Sequence, residues 1–184
     1  MPKDFDNTVA AYKASEAMLA EGRTRAIGVS NFMVEHLEDL LGRVDVVPAV
    51  NQIEVHPYFS QPDVRSGNAR HGIVTQCWSP IGGVYAYGPK NTNVLEDPVV
   101  VELAKEYGKT PAQVVLRWHI EHGFCAIPKS VKPHRIAENI DIFDFQMTAD
   151  EVAAIDALDT GVRGGPDPSL LDRETHPKVV DNDS

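Results

Sequence analysis

Apolar residues in this chain fall into runs of two kinds, one with helical spacing and one short and nearly continuous. Helical spacing, bounded by capping or helix-breaking residues, predicts helices over residues 6–21, 32–41, 61–71, 98–107 and 110–122, and a further helix from 148. The short apolar runs predict strands over residues 26–31, 49–55, 72–78 and 126–129. Strands that alternate with helices indicate βαβ units and a parallel sheet.

Two of the predicted helices begin with strong local signals. Thr110, Pro111 and Gln113 supply an N-cap, a helix-opening proline and a capping-box partner. Thr148 and Glu151 form a second capping box ahead of the last predicted helix.

Polar side chains collect where the predicted strands end. They are Ser30, Asn31, Gln52, Glu54, His56, Trp78, Ser79, Lys129 and Ser130. In a (β/α) barrel, ligands bind at this end of the strands. An open doubly wound sheet follows a similar rule but carries a glycine fingerprint after its first strand, and the glycine-rich run 81–88 follows a late strand with different spacing. The barrel interpretation is therefore favoured.

The number of strands is small for a complete barrel. A barrel of eight βα units takes about 250 residues, whereas this chain of 184 residues offers four strands and opens with a helix. We expect an α/β fold of the TIM-barrel type that is partial, with about four of eight units. It would form one domain over residues 1–184, with an irregular tail at 160–184.

A cationic turn precedes the helix predicted after the fourth strand. Lys129, Ser130 and Lys132 lie just before Pro133, which is well placed to open that helix, and Arg135 falls in its first turn. Cations, a hydroxyl and free helical N–H groups together make a phosphate site. A solvated basic loop is the alternative interpretation, and the spacing alone does not decide between them.

Composition narrows the function classes. Seventeen Lys and Arg against 27 Asp and Glu give a net charge of −10, which argues against sequence-independent nucleic-acid binding. Cys77 and Cys125 lie in apolar runs without metal-ligand spacing, so we expect buried, reduced thiols and no metal site. No run reaches transmembrane length and residues 1–6 lack signal-peptide character, so a soluble cytoplasmic protein without membrane partners is expected.

Five motifs in order carry a family resemblance. They run from Gly22 to Phe32, Val50 to Pro57, Gln76 to Pro80, Lys109 to Trp118 and Ile127 to Asn139. Together they resemble the aldo-keto reductases, most closely the bacterial members of the 2,5-diketo-gluconate reductase type, which act on small ketones, aldehydes and keto sugars. The resemblance covers about residues 12–168 and implies that the chain corresponds to the C-terminal half of the barrel.

The resemblance also implies a cofactor site for NADPH. Ser30, Asn31 and Gln52 would bind the nicotinamide carboxamide, which needs both a donor and an acceptor. Trp78 would stack on the nicotinamide ring. The alternative for Trp78 is a core aromatic, and Asn31 could be a helix N-cap either instead of or together with its cofactor role.

The remaining cofactor contacts come from later positions. Ser79 and Ile81 would line the pyrophosphate. The cationic turn becomes a clamp for the adenosine 2′-phosphate, with the adenine edge beside it. The residues implied for the clamp and the adenine are Lys129, Ser130, Val131, Arg135, Glu138 and Asn139.

The catalytic residues of the family have no counterpart here. The resemblance implies that its Asp, Tyr, Lys and His lie on the first half of the barrel, so no catalytic residue is assigned. We expect a truncated form with little or no activity alone. Tyr85 and Tyr87, in the loop after the third strand, are candidates for substrate contact, with surface aromatics as the alternative.

Three hypotheses follow. The first is an NADPH-dependent reductase of a small carbonyl substrate. The second is a non-catalytic NADP(H)-binding half-barrel that self-associates through exposed edges or complements an N-terminal half. The third, an unrelated phosphate-binding (β/α) protein, is disfavoured by five ordered motifs.

Overall fold

The computed structural model of the chain describes residues 5–83 and 93–170. The helices are α1 (Phe5–Ala20), α2 (Val34–Leu41), α3 (Pro62–Arg70), α4 (Pro98–Tyr107), α5 (Pro111–Glu121), α6 (Pro133–Ile140) and α7 (Ala149–Asp156). The strands are β1 (Val29–Ser30), β2 (Val50–Glu54), β3 (Val74–Trp78) and β4 (Cys125–Ala126). Short 3₁₀ turns lie at Val94–Glu96 and Pro168–Leu170.

The four strands form one parallel sheet in the order β1-β2-β3-β4. Ser30 lies opposite Gln52, Gln52 opposite Gln76, and Gln76 opposite Cys125. A parallel sheet in sequence order is typical of a (β/α) barrel wall, whereas a doubly wound sheet reverses its order at a switch point. The predicted α/β class with a parallel sheet is confirmed.

The two faces of the sheet differ in burial. Ile53 and Cys77 point to one face and are 1% and 0% exposed. Gln52 and Gln76 point to the other face and are only partly buried, and Val74 on that face is 45% exposed. Among the described residues the helices therefore cover one face of the sheet and leave the other open.

Two hydrophobic clusters hold the helices to the sheet. The larger joins β2 and β3 to α3, α4, α5 and α7, with Trp118 fully buried in it and its Nε1 donating to Asp156 Oδ1 at 2.8 Å. The smaller joins α1 and α2 and consists of Val9, Tyr12, Phe32, Leu37, Leu40 and Ile73.

The capping signals predict helix starts well. α5 begins after Thr110, whose Oγ1 accepts from the N–H of Gln113, and α7 begins after Thr148, whose Oγ1 accepts from the N–H of Glu151. α4 spans the predicted residues 98–107. These helices start where satisfied N-terminal donors fix the first turn.

Two expectations are wrong near the fourth strand. The strand predicted over 126–129 is displaced to Cys125–Ala126, because Pro128 has no N–H for a ladder and restricts the residue before it. Cys125 is exposed rather than buried, since its side chain lies on the open face of the sheet, while Cys77 is buried as expected.

Two features are absent from residues 5–83 and 93–170. No helix there is both long enough and apolar enough to cross a bilayer. The same residues include no cluster of three or more His, Cys, Asp or Glu side chains arranged for a metal ion.

Candidate functional site

Ser30, Asn31, Gln52 and Trp78 form one connected polar patch, in which Ser30 and Trp78 end β1 and β3, Asn31 follows β1, and Gln52 lies in the middle of β2. Ser30 Oγ donates to the Gln52 carbonyl at 2.9 Å, and the Asn31 N–H donates to the same carbonyl at 2.9 Å. Trp78 Nε1 donates to Asn31 Oδ1 at 2.8 Å. The structure thus brings together the residues expected around a nicotinamide ring.

The alternative interpretations of Trp78 and Asn31 fit the structure less well. Trp78 is only partly buried, unlike the fully buried Trp118 in the core. The N-cap of α2 is Met33, so the interpretation of Asn31 as the helix N-cap is wrong. The Asn31 amide oxygen instead fixes the indole of Trp78.

Left-handed backbone conformations shape this edge of the sheet. Asn31 and Ser79 follow β1 and β3 directly and have φ angles of 59° and 49°. Such conformations cost free energy for residues other than glycine and persist where the surrounding structure fixes them. They turn the chain away from the strand ends and place Trp78 and Ser79 at the edge.

A polar row continues from the patch across the open face of the sheet. Gln52 Nε2 donates to Gln76 Oε1 at 2.5 Å, and Gln76 Nε2 lies 3.5 Å from Cys125 Sγ. Because these residues are register partners, their side chains stand side by side on one face. The row gives the open face hydrogen-bonding groups at its centre.

A cavity of about 660 Å³ begins at Ser79, the residue that follows Trp78 of the patch. Its wall is built by the segment after β3, the start of α5 and the whole turn that leads into α6. The lining residues are Ser79, Pro80, Ile81, Gly83, Leu95, Thr110, Pro111, Ala112, Ile127, Pro128, Lys129, Ser130, Val131, Lys132, Arg135, Glu138 and Asn139. All the residues predicted for the pyrophosphate, the 2′-phosphate clamp and the adenine edge therefore share one cavity.

The cavity wall is locally cationic in an acidic chain. Lys129, Lys132 and Arg135 line it together with one acidic residue, Glu138, although the whole chain carries a net charge of −10. Ser130 Oγ accepts from the N–H of Lys132 at 3.1 Å, which shapes the turn, and α6 opens at Pro133 as predicted. The cationic turn therefore lies on a cavity wall, which a solvated basic loop would not require.

The start of α5 adds to the same electrostatic field. Thr110, Pro111 and Ala112 open α5 and line the cavity, so the positive end of the helix dipole lies at its wall. Cations combined with a helix N-terminus favour phosphate groups. The capping motif marks the start of this helix in the sequence, but only the folded structure brings that start to the cavity wall.

Cys77 lies between the site residues Gln76 and Trp78 but takes no part in the site. Its side chain points into the core, where burial raises the pKa of the thiol. A buried neutral thiol is unreactive. The expectation of a buried, reduced Cys77 fits this environment.

Other predicted polar residues do not line the cavity or lie outside the described part. Glu54 and His56 end β2 but are 0% and 3% exposed, and Glu54 accepts hydrogen bonds from the backbone of Gly164 and Gly165. Tyr85 and Tyr87, the candidates for substrate contact, lie outside the described residues.

Comparison with known proteins places this site in context. The Aldo/keto reductase family profile matches residues 3–160. Over 183 residues the chain is 49% identical to morphine 6-dehydrogenase of Pseudomonas putida, covering 97% of this chain and 62% of that protein. Over 164 residues it is 46% identical to methylglyoxal reductase DkgA of Escherichia coli (strain K12), covering 89% of this chain and 58% of that protein.

The chain is also similar to solved structures of aldo-keto reductases. A crystal structure of an aldo-keto reductase of Bombyx mori in complex with NADP matches with a TM-score of 0.81 and 35% identity, covering 86% of this chain and 52% of that one. The chain spans less than two thirds of each of these relatives.

Proposed function

The chain belongs to the aldo/keto reductase family, and from that premise we propose that its cavity binds NADPH. The whole protein to which this cofactor site belongs would be an oxidoreductase that reduces a small aldehyde, ketone or keto sugar to the alcohol, and these 184 residues would supply its cofactor half. One observation carries the proposal: the cationic cavity begins at Ser79, the residue after Trp78, and the Trp78 indole is hydrogen-bonded to Asn31 of the patch.

The residues present suit a phosphorylated dinucleotide. Lys129 and Arg135 on the wall of the cavity match a phosphate dianion, and the amide and hydroxyl groups of the patch match a carboxamide. Trp78, partly exposed, offers an aromatic face for an aromatic ring.

Each group would have a separate role in holding the cofactor. Lys129, Ser130 and Arg135 would bind the 2′-phosphate, with charge-assisted bonds of about 1.5–3 kcal/mol each. Ser30, Asn31 and Gln52 would fix which face of the nicotinamide points to the substrate. When bound, NADPH supplies the hydride that the carbonyl carbon accepts.

The relatives support the chemistry proposed. DkgA is named a methylglyoxal reductase, which acts on a small carbonyl compound, and the Bombyx mori structure is a complex with NADP. The chain is 46% identical to DkgA, and it matches the Bombyx mori structure with a TM-score of 0.81.

We also propose that residues 1–184 form one domain that supplies the last half of a (β/α) barrel, with the tail from 160. The four parallel strands in sequence order support it. The resemblance implies that the family's Asp, Tyr, Lys and His lie outside these 184 residues, so the polypeptide would bind NADPH without a group to protonate the carbonyl oxygen.

A combined assay tests this proposal. Purified polypeptide is titrated with NADPH while tryptophan emission is followed, and methylglyoxal is then added while NADPH oxidation is recorded. We expect saturable quenching that the Trp78→Phe variant loses, and no oxidation above the rate without protein. Absence of quenching would contradict the cofactor site, and clear turnover would contradict the missing proton donor.

A non-catalytic NADP(H)-binding module is the second candidate. It is favoured by the open face of the sheet, where Val74 is 45% exposed and the row of Gln52 and Gln76 is only partly buried. Such a module would associate with a second copy or with a separate N-terminal half, because an open parallel sheet leaves unpaired edges and apolar area in water.

A further inference from the structure

Glu54, at the end of β2, holds a later segment of the chain against the sheet. Its side chain is 0% exposed. Oε1 accepts from the N–H of Gly164 at 3.0 Å and from the N–H of Gly165 at 3.0 Å. Oε2 also accepts from the N–H of Gly165, at 3.1 Å. Burying a carboxyl group costs free energy unless its oxygens accept hydrogen bonds. Burial of Glu54 therefore depends on the N–H groups of Gly164 and Gly165, and these N–H groups depend on Glu54 for an acceptor.

The segment held in this way, residues 160–165, is called the tail strap here. Thr160 donates to the Tyr58 carbonyl from its N–H at 3.1 Å and from its Oγ1 at 2.9 Å. The Arg163 guanidinium lies 3.8 Å from Glu54 Oε2 and 4.6 Å from the centre of the Phe59 ring. The strap is therefore anchored at its start, at its centre and at its end.

The last residue of the strap packs directly against the indole of Trp78. A Cβ atom placed on Gly165 would lie 2.6 Å from Trp78 Cη2 and 3.2 Å from Trp78 Cζ3. It would also lie 3.2 Å from Glu54 Oε2. Glycine is required here by space, since any side chain would displace either the indole or the carboxyl group.

The Trp78 indole is thus held by contacts at two opposite edges. Its Nε1 donates to Asn31 Oδ1 at 2.8 Å, and the far edge of its six-membered ring meets Gly165. We propose that Glu54 and Gly165 are positioning residues, which hold the Trp78 ring in the place where it stacks on the nicotinamide. This inference rests on the proposed function, since it concerns how the same site receives NADPH.

The physical gain is preorganisation. A ring already held in place loses little further freedom when the nicotinamide stacks on it, so more of the contact free energy remains for binding. Glu54 and Gly165 act only through Trp78, so they would affect the nicotinamide half of the cofactor. The adenosine half, at the cationic turn, would not depend on them.

The chain offers a matched control for Glu54. Glu16 Oε1 also accepts from two backbone N–H groups, those of Asp45 at 2.9 Å and Val46 at 2.7 Å. Glu16 lies on α1, however, and these bonds join α1 to the loop before β2. Glu54→Gln and Glu16→Gln each replace a carboxylate oxygen by an amide, and only Glu54→Gln concerns the tail strap.

The test compares two ligands and one cofactor-free signal. Binding of NADPH and of 2′,5′-ADP, which lacks the nicotinamide, is measured by calorimetry for wild type, Glu54→Gln, Gly165→Ala and Glu16→Gln. We expect Glu54→Gln and Gly165→Ala to weaken NADPH binding about tenfold, the loss of roughly one good contact, and to leave 2′,5′-ADP binding unchanged. Glu16→Gln should change neither affinity.

Acrylamide quenching of tryptophan emission without cofactor supplies the second readout. Trp118 is fully buried, so the accessible signal comes from Trp78, which a Trp78→Phe sample verifies. We expect Glu54→Gln to raise the quenching constant and Glu16→Gln to leave it unchanged. This readout stays informative even if the wild-type chain binds no NADPH, which would contradict the proposed function alone.

A stability measurement covers the case in which Gly165→Ala folds poorly. The alanine should lower the free energy of unfolding more in the wild type than in the Trp78→Phe background, because phenylalanine lacks the ring that the new Cβ meets. The inference is wrong if Glu54→Gln leaves the quenching constant unchanged, if both ligands lose affinity equally, or if the two backgrounds respond alike.

Discussion

At the scale of single residues, the site depends on backbone states that sequence patterns do not reveal. The φ angles of Asn31 and Ser79 are 59° and 49°, yet neither residue is glycine. Asparagine visits this region more readily than most residues, whereas serine gives no such signal. The roles of both residues were predicted from motifs, but their conformations depend on tertiary contacts such as the bond from Trp78 to Asn31.

His119 is a buried residue with a predictable pH effect. It is 0% exposed and lies 2.8 Å from the Val115 carbonyl and 3.1 Å from the Val55 carbonyl. Burial outweighs these carbonyls and lowers the pKa of His119 from 6.5 to about 4. The unfolded chain therefore takes up a proton at a higher pH than the folded chain does.

The sign of the effect follows from that difference. The contribution of His119 to stability is complete above pH 6.5 and is lost as the pH falls towards 4, by about 3 kcal/mol in total. Urea unfolding at several pH values should show this loss in the wild type and a flatter profile for His119→Gln. Parallel profiles for the two proteins would show that the pKa of His119 is the same in the folded and unfolded chains.

At the scale of elements, helices are predictable here and strands less so. α4, α5 and α7 begin at local caps and prolines, so the sequence places them within about a residue. β4 shrinks to Cys125–Ala126 because strand length depends on pairing with β3 and on Pro128. Strand pairing depends on contacts with residues distant in sequence, so a local apolar run does not predict where a strand ends.

Gly28 illustrates a tertiary constraint between β1 and β2. A Cβ atom on Gly28 would lie 2.5 Å from Val50 Cγ2 and 2.7 Å from the Val50 carbonyl oxygen. We expect Gly28→Ala to lower the free energy of unfolding by about 1–3 kcal/mol, as overpacking does. Gly42→Ala is the control, because its Cβ would meet backbone atoms at 3.6 Å, an ordinary contact.

Chemical denaturation of the two variants measures this difference. A loss for Gly28→Ala with little change for Gly42→Ala would confirm the close approach of the strands. Equal effects would mean that β1 can move away from Val50 at little cost.

At the scale of the whole molecule, the fold type is predictable from the sequence, whereas the contacts of the tail strap are not. Strand order and the position of the site follow from the alternation of helices and strands and from the polar strand ends. The strap between Glu54 and Trp78 does not, since Gly164 and Gly165 lie 110 and 111 residues after Glu54 and carry no local signal.

The exposed apolar side chains on and around α6 predict self-association. Val131, Ile136, Ile140 and Phe143 are 76%, 53%, 69% and 61% exposed. Clustered exposed apolar residues are typical of contact surfaces. We expect the wild type to associate at micromolar concentrations in sedimentation velocity, and Ile140→Lys to shift it towards the monomer.

Val47→Lys provides the control for that experiment. Val47 is 49% exposed but lies in the loop before β2, away from α6. It should leave the association unchanged. A monomeric wild type, or equal effects of the two lysines, would contradict a contact surface at α6.

The selectivity of the cationic turn for NADPH tests the central claim most directly. Calorimetric titrations with NADPH and NADH give the ratio of the two affinities for wild type, Lys129→Ala and Lys105→Ala. Lys105 is the control because it lies on α4, pairs with Glu102 at 3.2 Å and does not line the cavity. We predict that the wild type prefers NADPH, that Lys129→Ala reduces the ratio about tenfold, and that Lys105→Ala preserves it. Equal affinities of the wild type for the two cofactors, or an unchanged ratio in Lys129→Ala, would contradict the 2′-phosphate clamp.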